Sequence, residues 1–317
     1  MRFLITGING QDGSWLSELL TGSNNEVVGI STRSAIESSI PSSIKVLTMD
    51  LSRHDVASEF LNIYKPERII HLAAVHASSF DMKNFDQSRY DAMWSCHVET
   101  TKNLLEWLRT SPNSRIVVAL SSQMYGAKIE DLRISETSPL SPINEYGRTK
   151  SEAFQLIQNF RQEYEIYATG AILFNHTSLK SKPGFLFPEL ADQICDIFFG
   201  LTQEIRIRNF EALVDICSAF EVCEGLLAML ELPAPTDFVF SSGRLIGVRA
   251  IVLEVLDKLR ITHPVSLISI ESYFSRDTLV GDPSRANRIL GWKARKTAAD
   301  ILYNMCINQI QMRNQHG

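Results

Sequence analysis

The chain has 317 residues, 31 Lys and Arg against 36 Asp and Glu, a net charge of −5 and 44% hydrophobic residues. That length holds one large domain and a smaller one with apolar content for both cores, while the acidic balance without a long basic run excludes an extended nucleic-acid surface. A local positive site for an anion stays open.

No apolar run approaches the roughly 20 residues that span a bilayer, and the chain enters its first strand without a leader, so a cytoplasmic location is expected. Cys96, Cys195, Cys217, Cys223 and Cys306 form no C-x-x-C pair and are expected as buried free thiols. The histidines show no ligand spacing, and no metal is expected.

Phe3 to Ile5 is a short apolar run suited to a buried parallel strand. It runs into Gly7, Gly10 and Gly13, after which Trp15, Leu16, Leu19 and Leu20 in Ser14 to Leu20 recur at helical spacing. Strand, glycine turn and helix let the backbone bend tightly and let a pyrophosphate approach the peptide N–H groups at the helix start. Three glycines also suit an ordinary surface turn; their place between a strand and a helix is what points to a dinucleotide.

Glu26 to Ile30 is the second predicted strand, followed by Ser31 to Ser34. No acid stands there to bond the ribose hydroxyls of an unphosphorylated cofactor. Arg33 does stand there, and a guanidinium suits a 2′-phosphate, which favours NADP over NAD; a solvated surface arginine is the plainer alternative. Ala35 to Ile44 reads as a loop, Val46 to Met49 as a third strand leading to Asp50 and Leu51, and Ile69 to Ala74 as a fourth. The fourth ends in Leu72, Ala73 and Ala74, where a cofactor passes close to the backbone. Ser88 to Arg109 is predicted as one long helix and Arg115 to Leu120 as the fifth strand.

That strand delivers Ser121, Ser122 and Gln123. After the loop Ser138 to Asn144 come Tyr146 and Lys150, whose Y-x-x-x-K spacing sets phenol and ammonium one turn apart on a helix. A lysine cation near the phenol lowers the tyrosine pKa from about 10 toward neutrality, so that the ring oxygen exchanges a proton with an alcohol or sugar oxygen during hydride transfer. Ser121 is expected to hydrogen-bond the same oxygen.

Fifth strand, serines, Y-x-x-x-K and the G-x-x-G-x-x-G turn together resemble the extended short-chain dehydrogenase/reductases. The match is closer still. Thr6 to Leu20 (TGINGQDGSWLSELL), Ser79-Phe80-Asp81, Ile172 to His176 (ILFNH), Arg208 to Asp215 (RNFEALVD) and Gly281 to Trp292 look like the GDP-mannose 4,6-dehydratases, and more loosely their 4-keto-6-deoxymannose reductase relatives.

The resemblance implies an α/β fold, a Rossmann-type doubly wound parallel sheet with a smaller C-terminal substrate domain. The cofactor domain is expected at 1–175 plus about 211–240, and the nucleotide-sugar domain at about 176–210 and 241–317. It further implies an NADP-dependent enzyme acting at C4 of a nucleotide-linked hexose, as a homodimer or homotetramer. Carried over by position, Gly7, Gly10, Gln11, Asp12 and Gly13 line the cofactor phosphates, Arg33 meets the 2′-phosphate, and Asp50 with Leu51 meets the adenine. Leu72, Ala73 and Ala74 flank the cofactor; Ser121, Gln123, Tyr146 and Lys150 occupy the catalytic positions. Ser79, Asn175 and Arg276 approach the substrate.

Two residues depart from the family. Gln123 stands where the dehydratases carry a glutamate that removes the C5 proton, and an amide lacks that basicity. Val214 stands where they carry an arginine for the substrate diphosphate, which leaves either another residue, such as Arg276 or Lys182, to hold it or a different substrate. The alternatives are thus a dehydratase-type enzyme with another base, or a 4-keto reductase or 4-epimerase that needs no C5 proton removal. A catalytically silent NADP sensor is the reading from another class, and the joint presence of Ser121, Tyr146 and Lys150 argues against it. Phe185 to Phe199 and Val248 to Leu259 read as core helices, Trp292 as a core anchor, and His76 and His97 as structural.

Overall fold

Apolar runs with no polar face belong in a sheet covered on both sides, and that is where they lie. In the computed structural model, which describes residues 1–22, 24–34, 39–75, 86–126, 133–271 and 278–316, five such runs form β1 (Arg2–Thr6), β2 (Glu26–Ser31), β3 (Lys45–Thr48), β4 (Arg68–His71) and β5 (Arg115–Ala119). Tyr167–Leu173 and Phe238–Phe240 complete the sheet. Across it the order is Phe238–Phe240, Tyr167–Leu173, β5, β4, β1, β2, β3, and every pairing is parallel. The winding reverses between β1 and β4, which opens a crevice at the carboxyl ends of those strands.

The period of two along each strand splits the core. Leu4, Ile69 and Ile116 face one side, packed with Leu104, Leu105, Phe154 and Ile157. Phe3, Ile5, Ile70 and Val117 face the other, packed with Leu16, Leu226, Met229 and Trp292. A third core of Phe187, Ile194, Val252, Leu256 and Leu302 lies among the helices Leu186–Phe198, Val248–Lys258 and Ala298–His316. Trp292 is the anchor its composition suggested: its indole donates to the Glu221 carbonyl at 2.6 Å and its ring meets Phe240 edge-on.

Three boundaries differ from the sequence expectation. Helix α1 (Gln11–Leu20) begins three residues before Ser14, so Gly13 lies inside its first turn. After α2 (His54–Tyr64), β4 stops at His71 because Leu72 and Ala73 turn their amides onto Thr6: the Thr6 carbonyl accepts from Leu72 and its hydroxyl from Ala73. The single helix expected from Ser88 to Arg109 is α3 (Gln87–Trp94), a π-helical turn at Ser95–Glu99 and α4 (Thr100–Leu108). The hydroxyls of Thr100 and Thr101 bond the Ser95 and His97 carbonyls there, which sustains the widened turn. All five cysteines are free thiols, Cys96 partly exposed and the others buried. Among the described residues no helix is long and apolar enough to cross a membrane.

Candidate active site

The glycine turn is shaped by contacts that a side chain would block. Gly7 has φ +74°, and a Cβ on it would stand 2.7 Å from the Ala73 nitrogen; one on Gly13 would stand 2.5 Å from the Ile8 carbonyl oxygen. Gly7 therefore brings the first turn against the end of β4, and Gly13 brings α1 against the turn. Gly10 caps α1 with no side chain bonded to the helix start, which leaves the first-turn amides without a capping side chain. That is the donor set a phosphate needs.

The side chains of Gln11 and Asp12 fasten α1 to the segment after Tyr167–Leu173. Gln11 Nε2 donates to the His176 carbonyl at 3.2 Å, and its Oε1 accepts from Ser178 and Ser181. Asp12 Oδ2 lies 2.9 Å from His176 Nε2. Trp15 donates to Ser178, and Lys180 reaches Ser14 and Glu18 while lying over the Trp15 ring. The short strand Asn175–Thr177 in this segment pairs with Ile216–Ser218, so the fastening joins the first turn to that two-stranded sheet.

Arg33 is exposed just past β2. Its amide donates to Ser31 Oγ, which Asn9 also binds. Asp50 is exposed and closes a turn by accepting from the Ser52 amide and hydroxyl. Leu51 does not face outward: its side chain is in the first core and its carbonyl accepts from Asn103.

At the carboxyl end of β5 the chain makes a tight turn, Ser122–Met124, capped by Ser121 Oγ accepting from the Gln123 amide at 3.2 Å. Helix α5 (Glu145–Tyr164) starts against this turn. Asn144 caps α5 by accepting from the Gly147 amide at 2.7 Å, and its own amide donates to Gln123 Oε1 at 2.9 Å. A Cβ on Gly147 would stand 2.0 Å from the Gln123 carbonyl oxygen. The helix start is thereby pinned to the strand end, and Tyr146 with Lys150 falls beside Ser121.

Tyr146 and Lys150 are both buried. Lys150 Nζ donates to the Ala119 carbonyl at 2.8 Å and lies 5.9 Å from the Tyr146 ring centre. The expected acidification of Tyr146 is not found. Burial raises its pKa well above the ordinary value, with the Cys96 thiol adding to the rise, against which the Ser121 hydrogen bond acts in the opposite sense. Burial also pulls Lys150 down to about 8. Desolvation dominates at both groups because each is buried and its charged form loses the stabilisation of water.

His97 has the structural role expected of it, held by bonds from both ring nitrogens. Nε2 accepts from the Val75 amide at 3.1 Å, which requires Nδ1 to carry the proton shared with Thr149 Oγ1 at 2.8 Å. Thr149 in turn donates to the Tyr146 carbonyl, and the His97 ring meets Tyr146 edge-on at 5.2 Å.

Asn175 is exposed at the head of its strand, and Val214 packs against the third core. Arg208 pairs with Glu271 at 3.1 Å. Ser79, Arg276 and His76 lie outside the described residues. Asn144 and His176 were not singled out as site residues. Asn144 had a signal, an Asn three residues before Gly147 at a helix start; His176 had none beyond its place in ILFNH.

Residues 4–305 match the family model described as GDP-mannose 4,6 dehydratase. The chain belongs to that family. Within it, the chain is 28% identical to GDP-mannose 4,6 dehydratase of Homo sapiens, over 98% of this chain and 91% of that one. It is 28% identical to GDP-mannose 4,6-dehydratase of Yersinia enterocolitica, over 100% and 95%. Membership makes it a nucleotide-sugar-modifying enzyme.

The fold is shared with solved structures of low identity. UDP-glucose 4-epimerase of Thermotoga maritima superposes with a TM-score of 0.82 at 17% identity, covering 99% of this chain and 100% of that one. RMD from Pseudomonas aeruginosa complexed with NADPH superposes at 0.80 with 19% identity, covering 98% and 99%.

Proposed function

We propose that this member of the GDP-mannose 4,6 dehydratase family is an NADP-dependent enzyme that exchanges a hydride at C4 of a GDP-linked hexose. The observation that carries the reading is the convergence of Ser121, Tyr146 and Lys150 at the end of β5, beside the uncapped start of α1. A dinucleotide fits this crevice: Gly7 and Gly13 keep the backbone close, the α1 amides offer donors to phosphates, and Arg33 stands exposed past β2 for a 2′-phosphate.

When bound, the nicotinamide supplies or takes up the hydride. The rest is the chain's own work. Tyr146 exchanges a proton with the C4 oxygen, Ser121 hydrogen-bonds the phenol and orients it, and Lys150, held by the Ala119 carbonyl, supplies positive charge behind the ring. The Asn175 to Ser181 segment supports the sugar nucleotide. Residues about 176–210 and 241–317 form the unit that closes over it, while 1–175 and about 211–240 hold the cofactor. We take the assembly as a homodimer or homotetramer and the location as cytoplasmic, in line with the family resemblance.

Two observations favour keto reduction over dehydration as the second half of this reading. Gln123 presents an amide whose oxygen is already bonded to Asn144, so it offers no base for C5. Burial keeps the Tyr146 phenol protonated, which suits donation to a C4 carbonyl oxygen. The experiment is incubation with NADP and GDP-mannose followed by mass analysis of the sugar nucleotide, paired with NADPH consumption on a 4-keto-6-deoxy sugar nucleotide. Turnover on the keto sugar without water loss from GDP-mannose supports reduction. Water loss from GDP-mannose overturns that direction and returns the enzyme to dehydration with another base. No turnover on either substrate counts against a GDP-linked hexose as the substrate.

A further inference from the structure

Asp12 raises a problem for the turn it sits in. It lies in the first turn of α1, two residues after the uncapped Gly10. A carboxylate there repels the phosphates that the helix start is otherwise built to attract.

His176 meets that carboxylate from the far side of the crevice. Its Nε2 lies 2.9 Å from Asp12 Oδ2 and its Nδ1 lies 2.8 Å from the Phe174 carbonyl oxygen. A carbonyl and a carboxylate only accept, so both ring nitrogens carry hydrogen and the ring is an imidazolium. Burial opposes that charge, but the Asp12 carboxylate and the two hydrogen bonds outweigh it and carry the ring to about 9.

The other groups around the pair leave this balance to His176. Asp12 Oδ1 is buried and accepts no hydrogen bond among the described residues. Cys217 and Cys223 have thiols that burial pushes well up, so they stay neutral. Lys180, on the same segment, is engaged by Glu18 and Ser14.

We infer that His176 is a positioning residue for the dinucleotide phosphates, the counter-ion that cancels Asp12 beneath the glycine turn. The inference rests on the cofactor reading above. It gives the pair a consequence beyond fastening: the segment that borders the substrate governs how well the first turn receives an anion, so dinucleotide affinity depends on the placement of a residue 164 positions away.

The test is NADPH binding to the whole protein by isothermal titration calorimetry, with NADH as a second probe. His176→Gln leaves Asp12 uncompensated and weakens NADPH binding about tenfold or more. Adding Asp12→Asn to that variant removes the repulsion and restores affinity to within about threefold of wild type. A residue with only a structural role gives no such rescue, so a double variant as weak as His176→Gln overturns the inference. Wild-type affinity in His176→Gln overturns it too. If wild type binds neither dinucleotide, the cofactor reading fails and this inference with it. If the single variant does not fold, the ring 15N resonances of His176 in wild-type protein decide: both nitrogens protonated at neutral pH supports the counter-ion, and a neutral ring overturns it.

Discussion

Asn144 donates to Gln123 Oε1 at 2.9 Å while accepting from the Gly147 amide at 2.7 Å. One side chain thus ties the turn after β5 to the first turn of α5, and the spacing between Ser121 and Tyr146 follows from it. Asn144→Ala loses the helix cap and leaves the Gln123 amide without this partner, and is expected to cost about 1 to 2 kcal/mol of stability. Asn144→Asp keeps the cap and is expected to recover most of that loss. Urea unfolding of the two variants checks the order; equal loss in both refutes the capping role.

Gln123→Glu places a carboxylate at the position the amide now holds. Asn144 still has an acceptor for its N–H, so the change is expected to alter stability by no more than about 1 kcal/mol. If the amide is what bars C5 proton removal, the variant gains water loss from GDP-mannose that wild type lacks, read by mass analysis of the sugar nucleotide. A stable Gln123→Glu protein that removes no water shows that the missing base is not the only barrier.

Much of this arrangement was legible because the forces behind it are local. Buried parallel strands write themselves as apolar runs, so β1, β2 and β5 could be read from Phe3 to Ile5, Glu26 to Ile30 and Arg115 to Leu120. Gly7 and Gly13 are glycines because main-chain atoms stand where a Cβ would go. Tyr146 and Lys150 are one helical turn apart by arithmetic. What could not be read depends on partners distant in the chain. Asp12 and His176 each sit in a plausible local motif, and nothing in either motif names the other. The π-helical turn at Ser95–Glu99 interrupts a region whose apolar pattern runs on into Leu104, Leu105 and Leu108. The rise in the Tyr146 pKa comes from burial, which a spacing rule cannot see.

Tyr146→Phe removes the phenolic hydroxyl that exchanges a proton with the C4 oxygen in the proposed site. Hydride exchange is expected to fall by about 10²-fold or more, while NADPH affinity in calorimetry stays within about threefold, since the phosphates are held at the α1 start and not by the phenol. A variant retaining more than a tenth of wild-type turnover on the keto sugar would falsify the assignment of Tyr146 as acid.

Gly147→Ala sets a methyl group against the Gln123 carbonyl oxygen, where the gap is 2.0 Å. Both partners are main chain and neither can swing aside, so α5 must shift at its first turn. Overpacking of this kind costs about 1 to 3 kcal/mol, and here it moves Tyr146 away from Ser121. Turnover is therefore expected to drop further than thermal stability does, a comparison made by steady-state rates beside a melting curve. Loss of stability with unchanged turnover would show that the Ser121 and Tyr146 pairing survives the shift.

His176 and His71 set opposite pH limits on stability. The His176 pKa is raised from 6.5 to about 9, the Asp12 attraction and hydrogen bonds overcoming burial. The folded state therefore holds a proton that the unfolded chain releases, and the stabilisation is complete below 6.5 and is lost as pH rises through about 9. A shift of that size corresponds to about 3 kcal/mol at most. His71 moves the other way, to about 3, because burial first and the Lys150 cation second disfavour its charge. Its contribution is present above 6.5 and is lost as pH falls toward 3. Urea unfolding of wild type and His176→Gln across pH separates the two. The stability gap between them is expected to be wide at neutral pH and to close above about 9, whereas the acid-side loss, to which His71 and the lowered carboxyls of Asp282 and Asp300 contribute, appears in both proteins alike. A gap that stays constant into the alkaline range means that His176 supports the fold by packing and not by its charge.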